Sequence, residues 1–176
     1  MEVRLHPPTA ADGNAFIAAV ERSRSLHHPW IEPPATSDGY RAWLARLAAR
    51  NPYQRHVAFL ATVDGELAGF VNVTEIVLGA FRSAYLGYGA FSPWERRGVM
   101  RSAVGDAVDR AFADDASGGL GLHRLEANIQ PENDRSKALI TALGFRLEGY
   151  SPRYLRIAGE WRDHERYAIT AEEWTA

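Results

Sequence analysis

At 176 residues with 46% hydrophobic side chains, the chain has the length and apolar content of one domain, residues 1–176, with a sizeable core. It has no cysteine, which excludes disulfides, thiolate metal sites and cysteine nucleophiles. Its 20 basic and 22 acidic side chains leave a net charge of -2, which argues against nucleic-acid or membrane binding through bulk charge.

The first residues, Met1–Pro7, contain no apolar signal core. No run of about 18 apolar residues follows, so a soluble, cytoplasmic protein is the expectation. Val3-Arg4-Leu5 alternates as a short strand. Thr9, with Asp12 at the capping-box position, then opens a helix whose apolar face is Phe16, Ile17, Ala19 and Val20. Three prolines in Leu26–Pro34 forbid a regular helix there. A second helix is predicted from Ser37 or Asp38 to Arg50, with Tyr40, Trp43, Leu44 and Leu47 on one side and Pro52 ending it.

Three strand patterns come next, at His56–Val63, Leu67–Leu78 and Ser83–Phe91. Asp64-Gly65 is a hairpin turn signal, so the three read as an antiparallel meander. Apolar residues at helical spacing then run from Val99 to Phe112. Leu122–Ile129 returns to strand, and a short helix covers about Asp134–Leu143 with Gly144 as its C′ residue. Phe145–Ile157 and Trp161–Thr170 read as a closing hairpin. The predicted order is β-α-α-β-β-β-α-β-α-β-β, a mixed α/β (α+β) sheet covered by helices.

Two strand-to-helix turns concentrate the chemistry. In Phe91–Arg101 a strand ends and a helix begins at or near Gly98, among Arg96, Arg97 and Arg101. Free N–H groups and the dipole at a helix start attract anions, and glycine allows close backbone approach. The turn reads equally as a pyrophosphate cradle or as a solvated basic turn. It is neither a P-loop nor a dinucleotide fingerprint, because their lysine and spaced glycines are missing. In Asn128–Lys137, Asn133 is placed as an N-cap with Ser136 at N3. It either caps only, or adds an amide and a hydroxyl to a cleft between neighbouring strands.

These segments resemble the GNAT superfamily of N-acetyltransferases, in its branch of Rim-type ribosomal-protein acetyltransferases. The acyl-CoA motif Q/R-x-x-G-x-G/A would fall on Glu95-Arg96-Arg97-Gly98-Val99-Met100, with Glu95 in place of Gln or Arg and expected to point away from the phosphates. Asn133, Ser136 and Leu143-Gly144-Phe145 resemble the second cofactor motif. Leu26–Trp30 resembles a loop between the first helices, and Gly159–His164 a late hairpin.

The resemblance implies a mostly antiparallel twisted sheet with helices on both faces, and acetyl-CoA in a slot between the Ser83–Phe91 and Leu122–Ile129 strands. The pantetheine arm would pair near Ala90, Phe91 and Ser92. The pyrophosphate would sit on Arg96, Arg97, Gly98, Val99, Met100 and Arg101. Asn133 would contact the pantetheine, and Ser136 would lie near the thioester sulfur.

Acetyl transfer needs a neutral amine. At pH 7 about a tenth of an α-amine is neutral, against about one part in two thousand of a lysine. A weak base therefore suffices for an N-terminal acceptor. Glu126 is the first candidate base, read alternatively as a solvent-facing carboxylate; His123 and Glu160 follow. Ser136 is the candidate donor to the thiolate, and the Phe91–Ser92 backbone the candidate oxyanion donor. His164 is expected to make a structural hydrogen bond. Trp30 and Tyr40, with Trp43, would wall the acceptor site, unless their helical spacing means core. His27-His28 lacks a carboxylate set, so no metal is expected.

Three functions compete: acetylation of a protein or peptide N-terminus, such as a ribosomal protein's; acetylation of a small amine such as a polyamine, amino acid or drug; and a non-catalytic acyl-CoA-binding module. Monomer and homodimer both fit.

Overall fold

The computed structural model describes residues 1–49 and 55–175. Seven strands form one sheet: β1 Val3–His6, β2 Arg55–Val63, β3 Glu66–Val77, β4 Ser83–Ala90, β5 Arg124–Ile129, β6 Arg146–Ile157 and β7 Glu160–Thr170. Five helices accompany them: α1 Gly13–Arg22, α2 Arg24–His27, α3 Ser37–Ala48, α4 Val99–Phe112 and α5 Asp134–Ala142. The sheet order is β1-β2-β3-β4-β5-β7-β6, and every neighbouring pair is antiparallel except β4 with β5.

The mixed sheet, the meander and the closing hairpin agree with the sequence reading. One turn of helix, α2, is added ahead of Pro29, where the prolines do not yet interfere. The third helix starts at Ser37 with Thr36 as its cap, whose hydroxyl accepts from the Gly39 N–H at 3.1 Å. The predicted end of that helix, Arg50 and Pro52, lies outside the described residues. Asp12 accepts from both the N–H and the hydroxyl of Thr9, each at 2.7 Å, and this capping closes a 3-10 turn that feeds α1.

Each face of the sheet has its own core. On one face, α4 presents Ala103, Val104, Ala107, Val108 and Ala111, all fully buried, against Val71, Val73, Leu125 and Ile169. These recur at i, i+3/i+4 spacing, and the alanines let the helix lie close to the strands. Cutting the fully buried Leu125 to alanine would cost about 2–5 kcal/mol. On the other face, Phe16 of α1 packs on Tyr40 and Trp43 of α3 and on Phe70 and Phe91, with ring centroids 5.1 to 5.9 Å apart.

The functional consequence lies at the parallel pair. β4 and β5 stay in register only at Ser83/Arg124, Ala84/Leu125 and Tyr85/Glu126. Beyond Tyr85 each strand keeps its outer neighbour while the two part from one another, which opens a wedge in mid-sheet.

Candidate active site

Two cavities meet at this wedge. One, of about 770 Å³, runs from the start of α4 to the starts of α2 and α5. The other, of about 510 Å³, lies among α1, α3 and β3. Ile31, Gly87 and Tyr88 line both, so the two adjoin at the gap beyond Tyr85.

The backbone of β4 prepares one wall. The Phe91 N–H donates to Ala68 O at 2.8 Å, which sets the antiparallel alternation with β3. Tyr88 and Ala90 therefore turn their N–H groups toward the gap that β5 has left. The Ala90 carbonyl is already engaged: His27 Nε2 donates to it at 2.8 Å. The Ser92 N–H donates to Ser23 Oγ at 2.9 Å, and Arg22 Nε donates to Ser92 O at 2.8 Å. The expected oxyanion donor at the Phe91–Ser92 strand end is thereby corrected, because both N–H groups are spent on holding the strand. Phe91 is fully buried in the core and, like Ser92, does not line the cavity.

The start of α4 prepares the second wall. Gly98 is its N-cap at φ 79°, and no side chain caps the helix. The first N–H groups of the helix are left without intrahelical partners. A Cβ on Gly98 would meet nothing within 4 Å, so the left-handed backbone rather than crowding requires the glycine. Arg96, Gly98, Val99, Met100 and Arg101 line the cavity, joined by Arg135 of α5. Arg97 does not, because its guanidinium lies 5.4 Å from the centroid of the Trp94 ring. Glu95, expected to point away, is a cavity residue with a buried carboxylate oxygen that has no partner.

The third wall is α5. Asn133 is the N-cap, and its Oδ1 accepts from the Ser136 N–H at 3.2 Å. Ser136 Oγ donates to the Tyr88 hydroxyl at 2.9 Å, and that hydroxyl donates to Ser136 O at 3.2 Å. Burial holds the Tyr88 phenol well above its ordinary pKa, with the Ser136 hydrogen bond partly offsetting it. Tyr88 was not singled out from the sequence. A tyrosine in an apolar strand carries no signal until the strand next to it leaves.

Of the remaining predicted residues, Trp30 lines the cavity, and Gln130 Nε2 donates to the neighbouring Pro29 carbonyl at 3.1 Å. Tyr40 is corrected to a core residue: it is 3% exposed, packs on Phe16 and donates to Thr9 O at 2.9 Å. Glu126 lines neither cavity and sits in the paired part of β5, where its Oε2 accepts from Arg124 at 2.9 Å. Arg124 also grips Glu148 at 2.6 and 3.0 Å and holds that carboxyl below its usual range. His164 donates through Nδ1 to Arg162 O at 3.0 Å. Burial keeps both His27 and His164 below the ordinary imidazole pKa, against the pull of their backbone partners. Among the described residues no group of three or more His, Cys, Asp or Glu could hold a metal ion, and no helix is long and apolar enough to cross a membrane.

A parallel pair that splays open beside an uncapped helix start is the arrangement that the resemblance to acyl-CoA-dependent acetyltransferases implies. The family model of the GNAT acetyltransferase domain matches residues 2–146, and the chain belongs to that family. It is 33% identical over 159 residues to the ribosomal protein uS5-alanine N-acetyltransferase of Escherichia coli, covering 87% of this chain and 79% of that protein. The structure of Mycobacterium smegmatis RimJ in complex with CoA-disulfide superposes with a TM-score of 0.86 at 32% identity, over 97% of this chain and 83% of that one. A Vibrio cholerae spermidine N-acetyltransferase, in complex with CoA and spermine, shares the fold with a TM-score of 0.77 at 21% identity, covering 97% of this chain and 96% of that one. The protein is an acetyl-CoA-dependent N-acetyltransferase that acts on an amine acceptor.

Proposed function

We propose that the acceptor is the α-amine of a protein or peptide N-terminus. The observation that carries this reading is the chemistry of the acceptor-side cavity. Its wall is aromatic and proline-rich, with Phe16, Trp43, Phe70, Pro33 and Pro34, and it holds only two carboxylates, Glu32 and Glu75. Glu32 is already committed, its Oε2 accepting from the Ala158 N–H at 2.8 Å. A polycation would call for several free carboxylates, whereas an α-amine needs neither a counter-charge nor a strong base. The likeness to the uS5-alanine enzyme supports the same reading, with a ribosomal-protein N-terminus as the natural instance.

In this reading acetyl-CoA lies along the larger cavity. The N–H groups at the start of α4, with Arg96 and Arg101, hold its pyrophosphate. Asn133 contacts the pantetheine, which runs along β4 at Ala90. The neutral amine enters from the α1–α3 face and attacks the thioester carbonyl. The free Tyr88 and Ala90 N–H groups face the developing oxyanion. As the C–S bond breaks, the sulfur takes a proton through the Ser136–Tyr88 pair, while the nitrogen gives its proton to water or a nearby weak base.

The experiment is calorimetric titration with acetyl-CoA followed by a thiol-release assay on a panel of amines. Selective turnover of an alanine-initiated hexapeptide over spermidine, free alanine and Nα-blocked lysine is the expected result. Preference for spermidine would overturn the α-amine reading.

A further inference from the structure

Three residues stand in one row across the α1–α3 face at the level where the wedge opens. Asn72 of β3 is the register partner of Gly87 of β4. Asn128 of β5 stands two residues beyond Glu126, as Gly87 stands two beyond Tyr85, and Tyr85 and Glu126 are the last partners before the strands part. Side chains repeat every second residue along a strand, so Asn72, Gly87 and Asn128 share a face and a level. The face is the one with α1 and α3, since a Cβ on Gly89, two residues on from Gly87, would strike Phe70 and Ile31.

Both asparagines have a buried side-chain oxygen with no hydrogen-bond partner. Leaving a buried polar group unpaired is costly, so two in one row require an explanation. Asn72 lines the acceptor-side cavity, Asn128 the larger one, and Gly87 both. A Cβ on Gly87 would meet nothing within 4 Å, so open space lies over its Cα, between the two amides.

We infer that Asn72 and Asn128 together bind the acceptor nitrogen over Gly87 and admit a primary amine that arrives uncharged. The inference rests on the N-acetyltransferase reading of the wedge and narrows its acceptor. Two strand spacings, about 10 Å, separate β3 from β5 at the last paired level, and the wedge widens the gap only gradually beyond it. Two asparagine side chains and two hydrogen bonds of about 2.9 Å to one nitrogen span that distance. The terminal torsion of asparagine is broad, so each amide turns its oxygen to the arriving nitrogen. A neutral primary amine has two N–H donors and one lone pair. The two oxygens take the donors, and the lone pair is left to attack the thioester. Neutral amides favour the ammonium form far less than a carboxylate would, and so raise the amine's pKa less. Once the C–N bond forms and the nitrogen turns cationic, the same hydrogen bonds strengthen. An N,N-dialkyl amine offers no such pair.

The test uses the full chain, with an alanine-initiated hexapeptide as the turnover probe. Gly87→Ala, which has room to fold, should raise the peptide KM about tenfold and leave the acetyl-CoA Kd within about twofold. Asn128→Ala should do the same. Asn72→Asp should move the rising limb of the kcat pH profile to higher pH, because a carboxylate stabilises the unreactive ammonium in the bound complex. A role confined to packing would shift none of these, and unchanged peptide KM in both Gly87→Ala and Asn128→Ala overturns the inference. If the wild type turns over no amine, the α-amine reading fails, and the row is judged by titrating alaninamide into the CoA-saturated protein. Shifts of the Asn72 and Asn128 side-chain amide NMR signals would support the row; their absence would overturn it.

Discussion

The two halves of the β4–β5 pair are built from one kind of sequence yet end in opposite states. In the closed half, from Ser83 to Tyr85 against Arg124 to Glu126, polar groups are spent within the protein. Arg124 joins Glu126 to Glu148, and Tyr85 meets Tyr154 hydroxyl to hydroxyl at 3.0 Å. In the open half, from Leu86 and Ala127 onward, the ladder stops: the Tyr88 and Ala90 N–H groups turn to the gap, and the buried amide oxygens of Asn72 and Asn128 have no partner. Buried polar groups are normally paired. The open half therefore keeps polar groups that the protein has not satisfied, and mutations in the two halves should separate stability from chemistry.

The sharpest separation is at the anion cradle of the open half. Arg101→Glu should weaken acetyl-CoA binding about 100-fold by calorimetry, the loss of a charged hydrogen bond plus repulsion. Arg97→Glu should change it less than about threefold, because Arg97 lies over Trp94 outside the cavity. Equal losses in both variants would erase the distinction. Next, Tyr88→Phe should lower kcat about tenfold with little change in the acetyl-CoA Kd, since the Ser136 hydroxyl remains as a second donor. A wild-type kcat would remove the Ser136–Tyr88 pair from the proton path.

The closed half predicts the converse. Glu126→Gln should reduce stability by about 1 kcal/mol, read as a Tm lower by a few degrees, and keep kcat within about twofold. If kcat collapsed while the fold held, Glu126 would be the base after all.

The smallest effect is the pH dependence of the fold. His27 and His164 are held below their unfolded pKa by burial, so below about pH 6.5 the unfolded chain takes up protons that the folded chain refuses. Their contribution is complete above the unfolded pKa and is lost as pH falls toward the lowered folded values. Tm should drop between about pH 7.5 and 5.5, and less steeply in a His27→Gln, His164→Asn double variant. A Tm that rose on acidification would contradict the buried, neutral imidazoles.

The sequence by itself determined the seven strands, the three longer helices other than their exact ends, the short helix after β5, and the helix starts at Gly98 and Asn133, but not α2. Periodicity in Val99–Phe112 located α4 to the residue, Asp64-Gly65 the first hairpin, and Asn133 the cap of α5, because these signals are local and need only neighbouring residues. The Gly98 turn was legible for the same reason. Only the tertiary structure decided which side chains share the gap. Tyr40 pointed to a ligand wall and became core because α3 turns that face onto Phe16. Glu126 and Asn128 are two residues apart on one strand face, yet one is sealed by Arg124 and the other opens on the wedge. Where β4 and β5 part is fixed by the helices and outer strands that hold each of them. That balance involves residues far apart in the chain and leaves no mark in either strand's own sequence.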